Sequence, residues 1–306
     1  MTGSAGDHPW VERSGLLPRA TAARVVLLEA AGGWGKTTFA EQVVEASGRG
    51  PVRVRLTDDC GVDGLVAECV RALRRAGVPE LGETLRGTDH DEQLDGLLGG
   101  LRARPDGLVV FVDEVHFLDH DGAVWLRALL DDIAAPHALI VAGRSLDRAL
   151  TRRLRADVVW MTVADLRFSL AEVAQIVGTE GGDAIALLDR TDGWPAAVGL
   201  ATVSGVAGAA SALAGDLGPL LNDLLGDDRE RMATLAVAPL LSREVCAIAA
   251  GPRAFDLLLE SGLPTRAVGE WRALADPVRD ALGADARLTV EQSAAIARLY
   301  DLANAV

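Results

Sequence analysis

The chain has 306 residues, 49% of them apolar and 24% charged, a balance that excludes a disordered tract and leaves room for about two domains. A net charge of −14 and a pI near 4.8 argue against a protein that holds nucleic-acid phosphates, because that affinity rests on clustered Lys and Arg. Cys60, Cys69 and Cys246 form no CxxC pair and have no histidine at ligand spacing, which argues against disulfides and zinc and for a reducing cytoplasm.

In chain order, MTGSAGDHPWVERSG opens an N-terminal segment, 1–23, without the basic start and apolar core of a signal peptide. From 24 to 164, short apolar runs alternate with amphipathic stretches, the pattern of crossover units that build a parallel sheet. The runs RVVLLEA, VRVRL, LVVFVDE, ALIVAG and DVVWMTV predict five strands. Helices are predicted between them over Lys36 to Ala46, Gly64 to Ala76, Gln93 to Ala103, Gly122 to Ala134 and Leu146 to Arg155. The expected architecture is an α/β nucleotide-binding core on a five-stranded parallel sheet.

Past Val163 the β-branched runs stop, and 165–225 reads as a helical module opened by the capping box SLAE at Ser169 and Glu172. The most apolar stretch of the chain, Val198 to Ala214, is interrupted by Gly, Ser and Thr and reads as a buried helix, so no membrane association is expected. A break is predicted at Gly215 to Asp228, where turn residues and acids combine. The remainder, 226–306, has short helices, a Pro/Gly break at LESGLPTRAVGEW with room for a small hairpin, and a final helix from about Val290. That order is compatible with a winged-helix module followed by the start of a further helical segment, and the run AIARLYDLANAV ends without a stop signal.

Three constellations carry chemistry. AAGGWGKTT, Ala30 to Thr38, follows a predicted strand and opens a predicted helix, and it matches the end of GxxxxGK[S/T]. Lys36 is the sole lysine of the chain; a compact ammonium fits inside a loop wrapped around a polyphosphate, where a planar guanidinium does not. Gly33 and Gly35 permit backbone conformations that a side chain would block, Thr37 is the Mg²⁺ ligand, and Thr38 adds a phosphate contact. Trp34 shields the site, contacts a neighbouring domain or packs locally. In LVVFVDEVHFLD, a buried strand delivers Asp113 to the metal shell and Glu114 as the base that orients or deprotonates water, while His116 reads as a structural hydrogen-bond partner near the strand end. Arg144 in VAGRS ends the next strand on the same sheet edge, a position that suits a γ-phosphate sensor and equally suits a surface cap.

With these residues in place the chain resembles the signal-transduction ATPases with numerous domains (STAND), in particular the branch of the maltotriose-responsive activator and the large LuxR-type transcriptional regulators. Ala30 agrees with that family's APAGYGKTT, whereas Ala31 and Gly32 replace its Pro-Ala; Asp113, Glu114 and His116 match its DDxH with Glu as the second acid. VAGRS, DLRFSLAEV at Asp165 to Val173 and TDGWPAAVGLA at Thr191 to Ala201 continue the match. The resemblance implies an AAA+/NB-ARC-like P-loop NTPase core, a helical lid whose Pro195 lies against the nucleotide base, and a winged helix; Trp194 and Pro195 read equally as a helix start. It implies ATP or ADP with Mg²⁺ as cofactors, a small-molecule or protein inducer, self-association in the ATP state, and a DNA-reading module outside this segment, which itself binds no DNA. The expected function is an ATP/ADP-binding switch with slow hydrolysis. The competing reading is a ring-forming AAA+ remodelling ATPase with Arg152, Arg153 or Arg155 as the finger that completes a neighbour's site; a third is an interaction scaffold with a decayed site.

Overall fold

The computed structural model describes residues 11–57, 60–87, 89–155, 157–178, 182–203, 210–283 and 286–304. The reading of residues 1–10 as lacking a signal peptide, and residues 204–209 of the apolar stretch, fall outside them. The described chain forms two compact units: Glu12–Ala30 with Gly35–Leu166, and Val11 and Ala31–Trp34 with the described residues from Arg167 onward.

The first unit runs α1 (Leu17–Ala22), β1 (Val25–Glu29), α2 (Lys36–Ser47), β2 (Gly50–Arg55), α3 (Val62–Arg75), α4 (Pro79–Glu83), α5 (His90–Arg102), β3 (Leu108–Asp113), α6 (His120–Asp132), β4 (Ala138–Gly143), α7 (Arg148–Thr151), β5 (Val158–Thr162) and α8 (Val163–Leu166). Its five strands pair in parallel in the order β2-β3-β4-β1-β5. The order explains the residue pattern. The central strands β3 and β4 are buried at every position and β1 at all but its last, as parallel strands with both faces covered require, whereas edge strand β2 alternates Val52 and Val54 inward with Arg53 and Arg55 outward. Registers pairing Glu29 with Gly143 and Val112 with Val141 bring β1, β3 and β4 to their carboxyl ends within one residue of one another. The chain leaves β1 for the far edge and returns strand by strand, so the loops after β1, β3 and β4 share the sheet edge where open α/β sheets bind ligands.

The helix predicted over Leu146 to Arg155 is a correction: only the four residues of α7 are helical. The guanidinium of Arg127, on α6, donates to the carbonyls of Leu150 at 3.2 Å and Arg152 at 2.7 Å, taking acceptors that a longer helix would use itself, and Arg153 turns away with φ 52°. Arg13 does the same for α8: buried, it donates to the carbonyls of Leu166 at 2.8 Å and Asp165 at 3.0 Å.

The second unit is helical apart from one hairpin: α9 (Leu170–Val177), α10 (Gly182–Thr191), α11 (Pro195–Val203), α12 (Ala210–Leu225), α13 (Arg229–Ala236), α14 (Arg243–Ala250), α15 (Ala254–Ser261), β6 (Thr265–Val268), β7 (Trp271–Leu274), α16 (Asp276–Gly283) and α17 (Val290–Asn304). Ser169 and Glu172 form the reciprocal capping box that starts α9. The break predicted at Gly215 to Asp228 is displaced to its end, since α12 continues through Pro219 to Leu225 and only Gly226–Asp228 tighten into a 3-10 turn. Leu217, Leu221 and Leu225 recur every four residues and are all buried; packing of that stripe outweighs the hydrogen bond that Pro219 removes. Among the described residues no helix is long and apolar enough to cross a membrane.

Candidate functional site

Strand β1 ends at Glu29, and the chain turns through Gly33 and Gly35, both with positive φ (76° and 74°) that L side chains disfavour, before α2 begins at Lys36. Gly35 is the N-cap, no side chain caps the helix, and Thr37 and Thr38 stand exposed in its first turn, where the positive end of the helix dipole favours an anion. Lys36 is buried, with 8% of its surface exposed. Burial lowers the pKa of its ammonium; the carboxylates of Glu114 and Asp113 oppose this and the charge of Arg144 adds to it. Five predicted site residues of the sheet unit, Lys36, Thr37, Asp113, Glu114 and Arg144, therefore stand within electrostatic or hydrogen-bonding reach of one another.

Thr37 Oγ1–H donates to Asp113 Oδ2 at 2.8 Å, and the Glu114 main-chain N–H donates to Asp113 Oδ1 at 2.9 Å. A hydroxyl and a carboxylate oxygen side by side are the hard donors that Mg²⁺ prefers, so these two residues fit that ion. Among the described residues no group of three or more His, Cys, Asp or Glu could hold a metal by itself. An ion at Thr37 and Asp113 would draw its other ligands from phosphate and water, as Mg²⁺ commonly does.

Glu114 adopts the left-handed conformation, φ 61° and ψ 36°, at the end of β3, turning the chain into the short 3-10 segment Val115–Phe117. His116 follows with its ring 4.2 Å from that of Phe117; its Nδ1 lies 3.4 Å from Glu114 Oε2 and 3.5 Å from the main-chain N of Arg144. Burial lowers the imidazole pKa, a shift that the Glu114 carboxylate opposes and that Arg144 and Lys36 reinforce. The hydrogen bond expected of His116 thus joins the end of β3 to the residue after β4. Two residues were missed in the sequence. Glu29, at the end of β1, accepts from the Leu146 N–H at 3.0 Å and ties down the loop after Arg144. Gly143 has no room for a Cβ, which would lie 2.9 Å from Val115 Cγ2 and 3.2 Å from the His116 N. The acid ending RVVLLEA and the Gly of VAGRS were their only signals.

Ala31–Trp34 belong to the helical unit. Trp34 is 1% exposed and its indole N–H donates at 3.0 Å to the carbonyl of Gly262, a partner far along the chain and not a neighbour in sequence. The Gly33 carbonyl accepts from the Ala196 N–H at 3.0 Å. A Cβ at Gly33 would meet the Trp194 ring at 2.9 Å, and one at Gly262 would meet Ala31 Cβ at 2.3 Å, so three glycine and alanine positions are kept small by direct contact. Pro195 starts α11, half-buried, directly after Trp194, which is fully buried with its indole N–H unpartnered. Gly262 was legible in the sequence only as part of a Pro/Gly break. Of the three finger candidates, Arg155 donates to the Asp131 carbonyl of its own chain.

No protein-family model matches the chain. Over 201 aligned positions it is 31% identical to the serine/threonine-protein kinase PknK of Mycobacterium tuberculosis and of Mycobacterium bovis, an alignment that covers 59% of this chain and 18% of the relative. The chain therefore spans less than a fifth of the length of the curated relatives it matches. Among solved structures, a Walker-type ATPase of Pyrococcus abyssi superposes with a TM-score of 0.59 at 12% identity, covering 92% of this chain and 98% of the other. A STAND protein with a tetratricopeptide repeat sensor from Pyrococcus horikoshii superposes with a TM-score of 0.52 at 16% identity, covering 90% and 42%. At these identities the likeness is one of fold. The five-stranded parallel sheet with its helices is the P-loop NTPase fold.

Proposed function

We propose that the chain is the nucleotide-binding switch of a larger signalling ATPase, holding ATP or ADP with Mg²⁺ and hydrolysing ATP slowly in the cytoplasm. The observation that carries this reading is the pairing of Thr37 with Asp113 beside the buried ammonium of Lys36, at the uncapped start of α2. Lys36 and the first-turn amides of α2 bind the β- and γ-phosphates, with Thr38 adding a contact. Magnesium, when bound, neutralises phosphate charge. Glu114 orients the attacking water and takes its proton, and Arg144 senses the γ-phosphate. Pro195 lies against the base, and the segment from 226 onward acts as a winged helix.

A switch needs two arrangements that differ in affinity for the two nucleotides. Ala31–Trp34 pack among Trp194, Ala196 and Gly262. The likeness to a fraction of a protein kinase's length supports a module of a multi-part chain. The large LuxR-type regulators are the setting proposed from the motifs, with an inducer, self-association in the ATP state and no DNA contact by this segment.

Calorimetric titration tests the reading. ATP and ADP are expected to bind with Mg²⁺ present. Lys36→Ala should weaken both by about a hundredfold, about 3 kcal/mol, the worth of a charged hydrogen-bond donor. Asp113→Ala should abolish the dependence on Mg²⁺. No heat of binding from the folded wild-type protein with either nucleotide refutes the proposal.

A further inference from the structure

His116 has one ring nitrogen facing two partners with opposite demands. Its Nδ1 lies 3.4 Å from Glu114 Oε2, which can only accept, and 3.5 Å from the Arg144 main-chain N–H, which can only donate. A protonated Nδ1 serves the carboxylate and leaves the Arg144 N–H without its lone pair; an unprotonated Nδ1 serves the N–H and turns a lone pair towards the carboxylate. The ring satisfies one partner at a time.

Its surroundings hold it at that choice. The His116 side chain is 14% exposed and that of Glu114 25%, and the Phe117 ring lies tilted against the imidazole at 4.2 Å. Gly143 brings the end of β4 so close to Val115 and the His116 main chain that no Cβ fits between them. Glu114 itself sits in a left-handed conformation uncommon for a side-chain-bearing residue, so the direction of its carboxylate is not fixed by relaxed strand geometry and depends on what grips it. The remaining charges that bear on the ring are Lys36 and Asp113.

We propose that His116 is a positioning residue for Glu114: its Nδ1 exchanges between the Glu114 carboxylate and the Arg144 main-chain N–H, so one ring sets the base and the sensor loop together. Exchange of the neutral tautomers suffices, and the charge of the ring need not change. While Nδ1–H holds the carboxylate, Glu114 is aimed at the water it activates. When Nδ1 turns to the Arg144 N–H, the carboxylate loses that grip and hydrolysis falls, which makes hydrolysis conditional on where the loop carrying Arg144 stands. Burial lowers the imidazole pKa and so favours the neutral ring in which this exchange operates.

The inference rests on the nucleotide-hydrolysis reading, and the test separates the two. Nucleotide affinity by calorimetry and turnover of Mg-ATP are measured for the full chain and for His116→Ala and His116→Asn. The asparagine amide offers a donor and an acceptor near the place of Nδ1; alanine offers neither. Alanine is expected to lower kcat about ten- to a hundredfold, the scale of a mispositioned base, with the ATP dissociation constant within about twofold of wild type. Asparagine should recover kcat to within about threefold. Unchanged kcat in the alanine variant, or an asparagine variant no better than alanine, overturns the role of His116 while nucleotide binding stands. Wild-type protein that binds nucleotide without turning it over overturns it through Glu114, and wild-type protein that binds none overturns the parent reading as well.

Discussion

Glu114 occupies a backbone conformation that costs an L-residue about 1–2 kcal/mol, and it does so one residue after the aspartate that accepts from Thr37. Under the proposed function, that strain is retained because it aims the carboxylate. Replacing Glu114 by Asn, which visits this conformation readily, should therefore leave the protein as stable as wild type or about 1 kcal/mol more stable by chemical denaturation, while hydrolysis falls. Lower stability of the variant would show that the carboxylate contributes to folding. The two acids ending LVVFVDE were legible as a pair because the run follows GGWGKTT by one extra crossover unit; alone, an apolar run stopping at two carboxylates is a common pattern. The conformation of the second was not, since DE reads alike whether its second residue is extended or left-handed.

At the level of elements, the five strands were legible because each is a short apolar run bounded by turn residues, and the central ones are buried on both faces. Elements set by a distant partner were not. Helix α7 is short because Arg127, more than twenty residues earlier in the chain, takes its carbonyls while a fork-to-fork pair with Asp131 (2.8 and 3.1 Å) aims the guanidinium. Arg127→Ala should destabilise the protein by about 2 kcal/mol, from the lost carbonyl bonds and the carboxylate left behind in a half-buried place. Arg127→Lys should recover little of it, because one ammonium cannot bridge the carboxylate and the carbonyls together. Urea midpoints of the two variants decide this: a lysine variant equal to wild type would mean that charge alone suffices. In α12 the fault was of weighting. The Leu217, Leu221, Leu225 stripe was present in the sequence, but Pro and Gly were read as stronger than the stripe.

Across the whole molecule, the partition of the phosphate loop between the two units is the feature that no local pattern announced. GGWGKTT is contiguous in sequence, yet Ala31–Trp34 pack with residues near 194 and 262, and only the folded chain shows which of its residues answer to which unit. The net charge of −14 is spread over a chain whose basic residues are, with one exception, arginines. That exception has a consequence in chemical reactivity. Acylating reagents act on neutral amines, guanidinium groups do not compete, and burial shifts Lys36 towards its neutral form. The protein therefore carries its own single-site footprint. Its intact mass should gain one side-chain acyl group, faster as pH rises through the range below 10.5, and ADP with Mg²⁺ should suppress the gain while leaving any reaction at the α-amine untouched. Acylation of Lys36 that proceeds equally with and without saturating nucleotide would place the ligand elsewhere. Site occupancy thus becomes a quantity that can be weighed on the wild-type chain, with no residue substituted.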